Sequence, residues 1–448
     1  MKASAARAAF FALVLICVLI RVVVHFNYMP VQYPDSSGYI NLASQIRSLD
    51  FGNCDGSRTP IYPLMLLSFG LDYGLVWYAQ MAMGISISLM LYWFALNRTQ
   101  SAIFAFLVGL SHSLSLNQLF AEANILSETL STFLLVCSLL LVAPASHRTR
   151  HYLPHLACTG IVVGLAGLTR PILLLLAPLY CLFFALQWSH QGRAIVPTTA
   201  RASHLLSFAS PIIVMVLGWS VFNSVTTNYF GPTTLVGYNL SQHAGAFIEL
   251  APDEYAEIRD LYLRYRQAQI ANTGSHSMTI WNAYPEMQKV TGTSFGDLSR
   301  RLTTLSVTLF VEHPTLYLKS ASRAWIEFWR VSNYWQLEQV KLPFLARALE
   351  STWWIEKRLL VLVNLMFLSI TAYSLCRSLI RRQLFPSALD VLVIAVVLSA
   401  SVVQALTEYG ENARYSIPIQ SLVVYLVSLS AWSYIVKSRQ LRRGSASH

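Results

Sequence analysis

The sequence predicts an all-α, polytopic membrane protein, and three observations carry that prediction. Of its 448 residues, 55% are hydrophobic and only 12% charged, where soluble domains carry about 25% charged residues. Several stretches run for about 20 residues almost without charge, the length a helix needs to cross a hydrocarbon core about 30 Å thick. Basic residues gather in alternate connecting segments, as they do when a chain is threaded through a bilayer. Lipid offers no partner to backbone N–H and C=O groups, so such spans must be helical. This composition excludes a soluble enzyme.

Taken in order, the apolar stretches predict about ten spans, at 8–26, 75–96, 101–120, 129–143, 156–169, 172–188, 205–225, 353–376, 388–406 and 415–436. Lys2 and Arg7 precede the first, and no small-x-small cleavage site follows Phe26, so it reads as a retained anchor. Residues 61–71 are apolar but carry Pro60, Pro63 and Gly70 at or near their ends, which suits a short re-entrant or interfacial helix. Between them and the first span, residues 37–49 place Ile40, Leu42, Ala43, Ile46 and Leu49 on one helical stripe, as in a helix lying on a membrane surface. Asp35, Ser36 and Ser37 precede that stripe, where a helix start takes a capping side chain.

Residues 226–350 differ from the rest. They hold 11 Lys/Arg and 11 Asp/Glu, the balance of a small soluble domain, with helical patterns near 253–271 and 291–316. A Trp-rich stretch from Trp325 to Trp354 returns to the membrane as an interfacial belt. The chain therefore divides into a transmembrane module (1–225) with a long first outer loop (27–74), a mostly helical extracytoplasmic domain (226–350), and a second transmembrane module (351–448).

Charge sets the orientation. With the amino terminus inside, the inner segments hold Arg98, Arg148, Arg150, Arg193, Arg201, Arg377, Arg381, Arg382, Lys437, Arg439, Arg442 and Arg443. Their first acid is Asp390, at the mouth of a span. The short outer segments carry Arg47, Arg58, Arg170 and Arg414, mixed with acids. Both termini are thus expected in the cytoplasm, and a bacterial inner membrane is the expected location. The formal net charge of +11 then faces anionic membrane lipids, and no basic stripe on a soluble domain argues for nucleic acid. Of six cysteines, only Cys54 lies clearly outside, so no structural disulfide is expected.

The remaining charges cluster at one depth. Asp35, Arg58, Glu122, Glu128, Arg170, Glu408, Glu411 and Arg414 all fall at the outer mouth of the bundle on this topology. An ionisable group inside a span costs up to about 3 kcal/mol on insertion scales, so such groups turn toward a cavity or a partner. Salt bridges between outer loops would account for any one of them. Their local contexts are more distinctive: Tyr33-Pro34-Asp35-Ser36-Ser37-Gly38-Tyr39, then Arg58-Thr59-Pro60-Ile61-Tyr62-Pro63, Ser127-Glu128, Thr169-Arg170-Pro171, and Glu411-Asn412-Ala413-Arg414-Tyr415.

These runs, in this order, resemble landmarks of the GT-C membrane glycosyltransferases, in the branch that includes protein O-mannosyltransferases and the enzymes that add aminoarabinose to lipid A. The resemblance is firmest over 27–180 and thinner at 407–418; residues 226–350 match no landmark. It implies a GT-C-like fold and an inverting transfer of sugar from a polyprenyl-phosphate-linked donor to a lipid, glycan or protein acceptor. Many relatives carry two adjacent acids in the first outer loop; here Asp35 is followed by Ser36, and a second acid would come from Asp55 or Glu128.

The residue types suit that chemistry. A carboxylate within hydrogen-bond reach of the acceptor can take its proton, and Asp35 is the candidate base, with helix capping as its alternative use. Arginine offers forked, permanently charged donors for phosphate oxygens; Arg170, Arg58 and Arg414 are the candidates, or else they pair with Glu122, Glu128, Glu408 or Glu411. Glu128 could orient Asp35, bind a sugar hydroxyl or ligate a divalent ion, although no compact His/Cys cluster marks a dedicated metal site. Tyr39, Tyr62, Asp55, Glu411, Tyr415 and His243 complete the candidate pocket. Gly160, Gly164 and Gly167 suit close helix packing, and Arg21 and His112 read as satisfied polar groups within spans. Two rival functions remain: an O-antigen polymerase or ligase acting on polyprenyl-diphosphate glycans, whose key residues should lie in 226–350, and a lipid or sugar transporter, which commonly shows repeats and midplane charges.

Overall fold

The computed structural model describes residues 2–142, 152–190, 198–381 and 387–445. Four basic residues of the orientation argument, Arg148, Arg150, Arg193 and Arg382, lie outside the described residues. The described chain is helical; its one β-type pairing is an isolated bridge between Val31 and Asn124.

The first helix, α1 (Lys2–Asn27), packs against α4 (Tyr73–Thr99) and α5 (Ala102–Leu114). Between α1 and α4 lie α2 (Pro34–Ser48) and the short α3 (Ile61–Ser68), which ends where Gly70 and Leu71 take positive φ. The expected span 101–120 is instead two helices, α5 and α6 (Leu116–Ala121), meeting at Ser115. The cause is Glu356: its carboxylate accepts from the Ser115 hydroxyl at 2.8 Å and from the Leu116 N–H at 3.0 Å, satisfying the start of a new helix. Then come α7 (Glu128–Val142), α8 (Tyr152–Gly167), a 3-10 turn at Pro171–Leu175, α9 (Leu176–His190) and α10 (Thr198–Thr227).

Among the described residues, six helices are long and apolar enough to cross a membrane: Ser4–Asn27, Tyr73–Thr99, Ala200–Thr227, Pro343–Ser378, Ala388–Thr407 and Ile417–Val436. The other four expected spans correspond to shorter apolar helices, Ala102–Leu114, Glu128–Val142, Leu153–Gly167 and Pro171–Gln187. The many apolar side chains left exposed on the long helices, such as Phe11, Leu15, Val214 and Val225, are what a lipid-facing surface requires. Six long apolar helices make this an integral membrane protein.

Residues 226–350 fold into α11 (Val236–Ala244), α12 (Ala256–Thr273), α13 (Thr279–Thr291), α14 (Phe295–Glu312) and α15 (Pro314–Phe328). Their own core gathers Tyr238, Tyr262, Ile280, Met287, Leu298, Leu302 and Leu309. The helical pattern expected over 291–316 breaks at His313, because Pro314 starts the next helix. The chain continues through α16 (Pro343–Arg381), α17 (Ala388–Thr407), α18 (Asn412–Tyr415) and α19 (Ile417–Ser445). At the start of α17, Asp390 accepts from Arg98 at the end of α4, at 3.0 Å. The opposite end of α17 borders a cluster of charged side chains.

Candidate functional site

The start of α2 is built by its neighbours. Val31 bonds Ala123 and Ile125 through the backbone, each at 2.9 Å. The Ser36 hydroxyl donates to the Ile125 carbonyl at 2.8 Å and accepts from the Tyr33 N–H at 2.9 Å. The cap position therefore belongs to Tyr33, and Asp35 sits in the first turn with its carboxylate free for other work. The capping role considered for Asp35 is thus corrected.

That carboxylate joins two arginines. Asp35 Oδ1 accepts from Arg58 Nη2 at 2.8 Å, and Oδ2 from Arg414 Nη1 at 2.6 Å. Arg414 reaches on to Glu128 Oε1 through Nε at 2.7 Å, and the same oxygen accepts from Arg170 Nη2 at 2.8 Å. The result is one continuous alternation: Arg58, Asp35, Arg414, Glu128, Arg170. Glu411 branches from it, accepting from Arg414 Nη1 at 3.0 Å. With Glu411 counted, three cations meet three carboxylates.

Each arginine also lies over a tyrosine ring: Arg58 over Tyr39 at 4.8 Å, Arg170 over Tyr415 at 5.2 Å, and Arg414 over Tyr334 at 4.6 Å from guanidinium carbon to centroid. Stacking fixes the plane of a guanidinium while leaving its edge N–H groups for ligands. The tyrosines are themselves held. Tyr39 shares a 3.2 Å hydrogen bond with Ser127 Oγ, which also accepts from Arg170 Nε at 3.1 Å. The Tyr415 hydroxyl donates to Glu408 Oε1 at 3.0 Å, while Gln404 donates to Glu408 Oε2 at 2.9 Å.

Electrostatics follow from this packing. Burial alone would raise the Asp35 carboxyl, but Arg58 and Arg414 outweigh it and hold the group well below the ordinary carboxylate range. Glu408 moves the other way: burial pushes it up to about 7, against the hydrogen bonds from Gln404 and Tyr415.

The chain of charges borders a cavity of about 300 Å³. Its lining combines Asp35, Tyr39, Arg58, Arg170, Glu408, Arg414 and Tyr415 with the apolar Ile172, Leu235, Val236, Leu240 and Val403. Asp35 and Arg170, from distant parts of the sequence, share it. Ligand pockets begin at about this size.

Other candidates fall elsewhere. Tyr62 is fully buried behind Tyr39, their centroids 5.0 Å apart, and its hydroxyl donates to Gln80; it supports a lining residue without lining the cavity. Asp55 lines a separate polar cavity with Asn41 and Gln45, sharing only Arg58 with the first. His243, a pocket candidate, does not line the cavity: it is fully buried between α11 and the end of α17, bonded to Ser320 at 2.8 Å and flanked by Phe310, Tyr317 and Tyr409. Burial lowers its pKa to about 4. Glu122 leaves the cluster altogether, pairing with Arg21 inside the bundle at 2.9 Å.

Ser127, Tyr334, Glu408 and Asn239 were not singled out as site residues by sequence reasoning. Only Ser127, beside Glu128, and Glu408, within the charge set, had a local signal. Among the described residues, no group of three or more His, Cys, Asp or Glu side chains is placed to hold a metal ion. Compared with protein-family models, curated proteins and solved structures, the chain matches none.

Proposed function

We propose that this chain is an inverting glycosyltransferase of GT-C-like architecture. It would take a sugar from a polyprenyl-phosphate donor and pass it to a lipid, glycan or protein acceptor at the extracytoplasmic face of a bacterial inner membrane. In this reading the four shorter apolar helices also cross, giving about ten spans, with tilt, local thinning of the bilayer and the flanking pieces α6 and Pro171–Leu175 making up the length.

The observation that supports the reading best is the alternation Arg58–Asp35–Arg414–Glu128–Arg170, all but Glu128 lining a cavity that also has apolar surface. A phosphate esterified to an apolar tail needs both surfaces. On arrival it competes with Asp35 and Glu411 for Arg58 and Arg414. Asp35 is a weak base while two guanidiniums hold it; once they turn to the phosphate, its proton affinity rises. It then accepts the proton of the acceptor hydroxyl as that oxygen attacks the anomeric carbon. The bond from that carbon to the phosphate oxygen breaks, its electron pair leaves with polyprenyl phosphate, and the arginines stabilise the departing charge. Glu128, buried beneath Arg170 and Arg414, keeps both aimed at the cavity.

The test is envelope glycan analysis in a deletion strain complemented with wild type or Asp35→Asn. The variant, inserted at wild-type level, should restore none of the product. Equal restoration would remove Asp35 as the base.

A further inference from the structure

We infer that Asn239, on α11, reads hydroxyl groups on the sugar ring held in the cavity, so that the 226–350 region forms part of the substrate site. The inference rests on the glycosyltransferase reading above and specifies the sugar's chemistry within it.

Helix α11 is pinned so that one face must turn to the cavity. Gly237 lies against α14 so closely that a Cβ there would come 1.9 Å from the Ser299 carbonyl oxygen. Tyr238 is fully buried, its hydroxyl donating to the Phe295 carbonyl at 3.0 Å. Helical spacing then directs Val236, Asn239 and Leu240 the other way, and all three line the cavity.

The approach to α11 is tied to the arginine side. The Thr233 hydroxyl donates to the Ser57 carbonyl and that of Thr234 to the Asp55 carbonyl, both at 2.9 Å, and the Thr234 N–H donates to the Gly56 carbonyl at 3.0 Å. Arg58 follows directly in that loop. Asn239 is therefore held at a set distance from the phosphate-binding end, as a group reading the next moiety of the donor must be.

Its chemistry points to hydroxyls. Three other polar side chains of the lining are engaged: Thr233 with Ser57, Thr407 with Val403, and Gln404 with Glu408. No described residue bonds the Asn239 amide, which offers both donors and an acceptor. An amide suits adjacent hydroxyls, each of which also donates and accepts.

The experiment compares wild type, Asn239→Leu, Asn239→Ala and Asp35→Asn, purified in detergent and expressed in the deletion strain. Undecaprenyl phosphate, which lacks the sugar, should raise the thermal midpoint of wild type and both Asn239 variants equally. Envelope product should fall about tenfold or more with either Asn239 variant, the scale of one lost hydrogen bond in a closed site, or carry a different sugar. Wild-type product from both Asn239 variants, with none from Asp35→Asn, would overturn this inference alone. Loss of the undecaprenyl phosphate shift in both Asn239 variants would also overturn it, since the role would not be confined to the sugar. Full product from Asp35→Asn, or no shift in wild type, would instead sink the reading beneath it.

Discussion

At the end of α17, Glu408 is only 7% exposed, and burial raises its pKa to about 7. Its ordinary value is about 4.3. Between these values the folded protein binds the proton that the unfolded chain has already released. Stability from this group is therefore full below about 4.3 and declines as pH rises to about 7. Glu408→Gln keeps one acceptor oxygen and turns its NH2 to the other partner, whose hydroxyl or amide oxygen can accept, and it carries no charge to desolvate. It should match wild type near pH 4 and exceed it at pH 8 by about 1 kcal/mol or more, read from thermal unfolding in detergent across that range. An unchanged pH dependence would show that Glu408 is not buried as described. Arg58, Glu128, Arg170 and Arg414 were legible in the sequence because charges beside apolar spans are costly and conspicuous. Tyr334 was not, since one aromatic in a Trp-rich stretch carries no local mark; only its stack on Arg414 at 4.6 Å gives it a part. Asp35 was legible as a carboxylate, but not its freedom from capping, which depends on Ser36 reaching Ile125 far along the chain.

Helices show the same division. The glycines of α8 could be assigned to packing from sequence, and each meets a neighbour. A Cβ on Gly160 would sit 2.1 Å from the Phe208 carbonyl oxygen of α10, Gly164 abuts Met215 and Ile212, and Gly167 abuts Leu174. Backbone cannot swing aside as a flexible side chain can. Gly160→Ala should thus destabilise the fold by about 1–3 kcal/mol, as overpacking does. Gly218→Ala, on the same α10 with nothing within 4 Å of its would-be Cβ, should change stability by less than about 1 kcal/mol. Paired melting curves in detergent decide the matter; equal midpoints would mean α8 and α10 are not in that contact. The break of the 101–120 stretch at Ser115 was invisible in the sequence, because the carboxylate that caps the new helix is Glu356, on α16.

On the scale of the whole molecule, the asymmetry of basic residues predicts which end of the bundle faces out. The charge chain sits at the Thr407 end of α17, and the Arg98–Asp390 pair at the other. Two single cysteines in a cysteine-free background test the orientation: Asn272→Cys, on the exposed end of α12, and Ala5→Cys in α1. In intact spheroplasts a membrane-impermeant maleimide should label the first and reach the second only after permeabilisation. The opposite pattern would put the cavity in the cytoplasm, where the proposed donor would have its sugar on the wrong side.

Hydropathy and charge, which are sums over neighbouring residues, were enough to specify an integral membrane protein, a helical stretch of balanced charge at 226–350, and the charged residues worth watching. Which of those charges share a cavity was decided by packing alone. Glu122 and Glu128 lie six positions apart, yet one is buried against Arg21 and the other joins Arg170 and Arg414. Asp35 and Arg414, 379 positions apart, are in contact. Partnership between buried charges depends on which helices lie side by side, and that is settled by the shapes of their apolar faces across the bundle, which no local stretch of sequence contains.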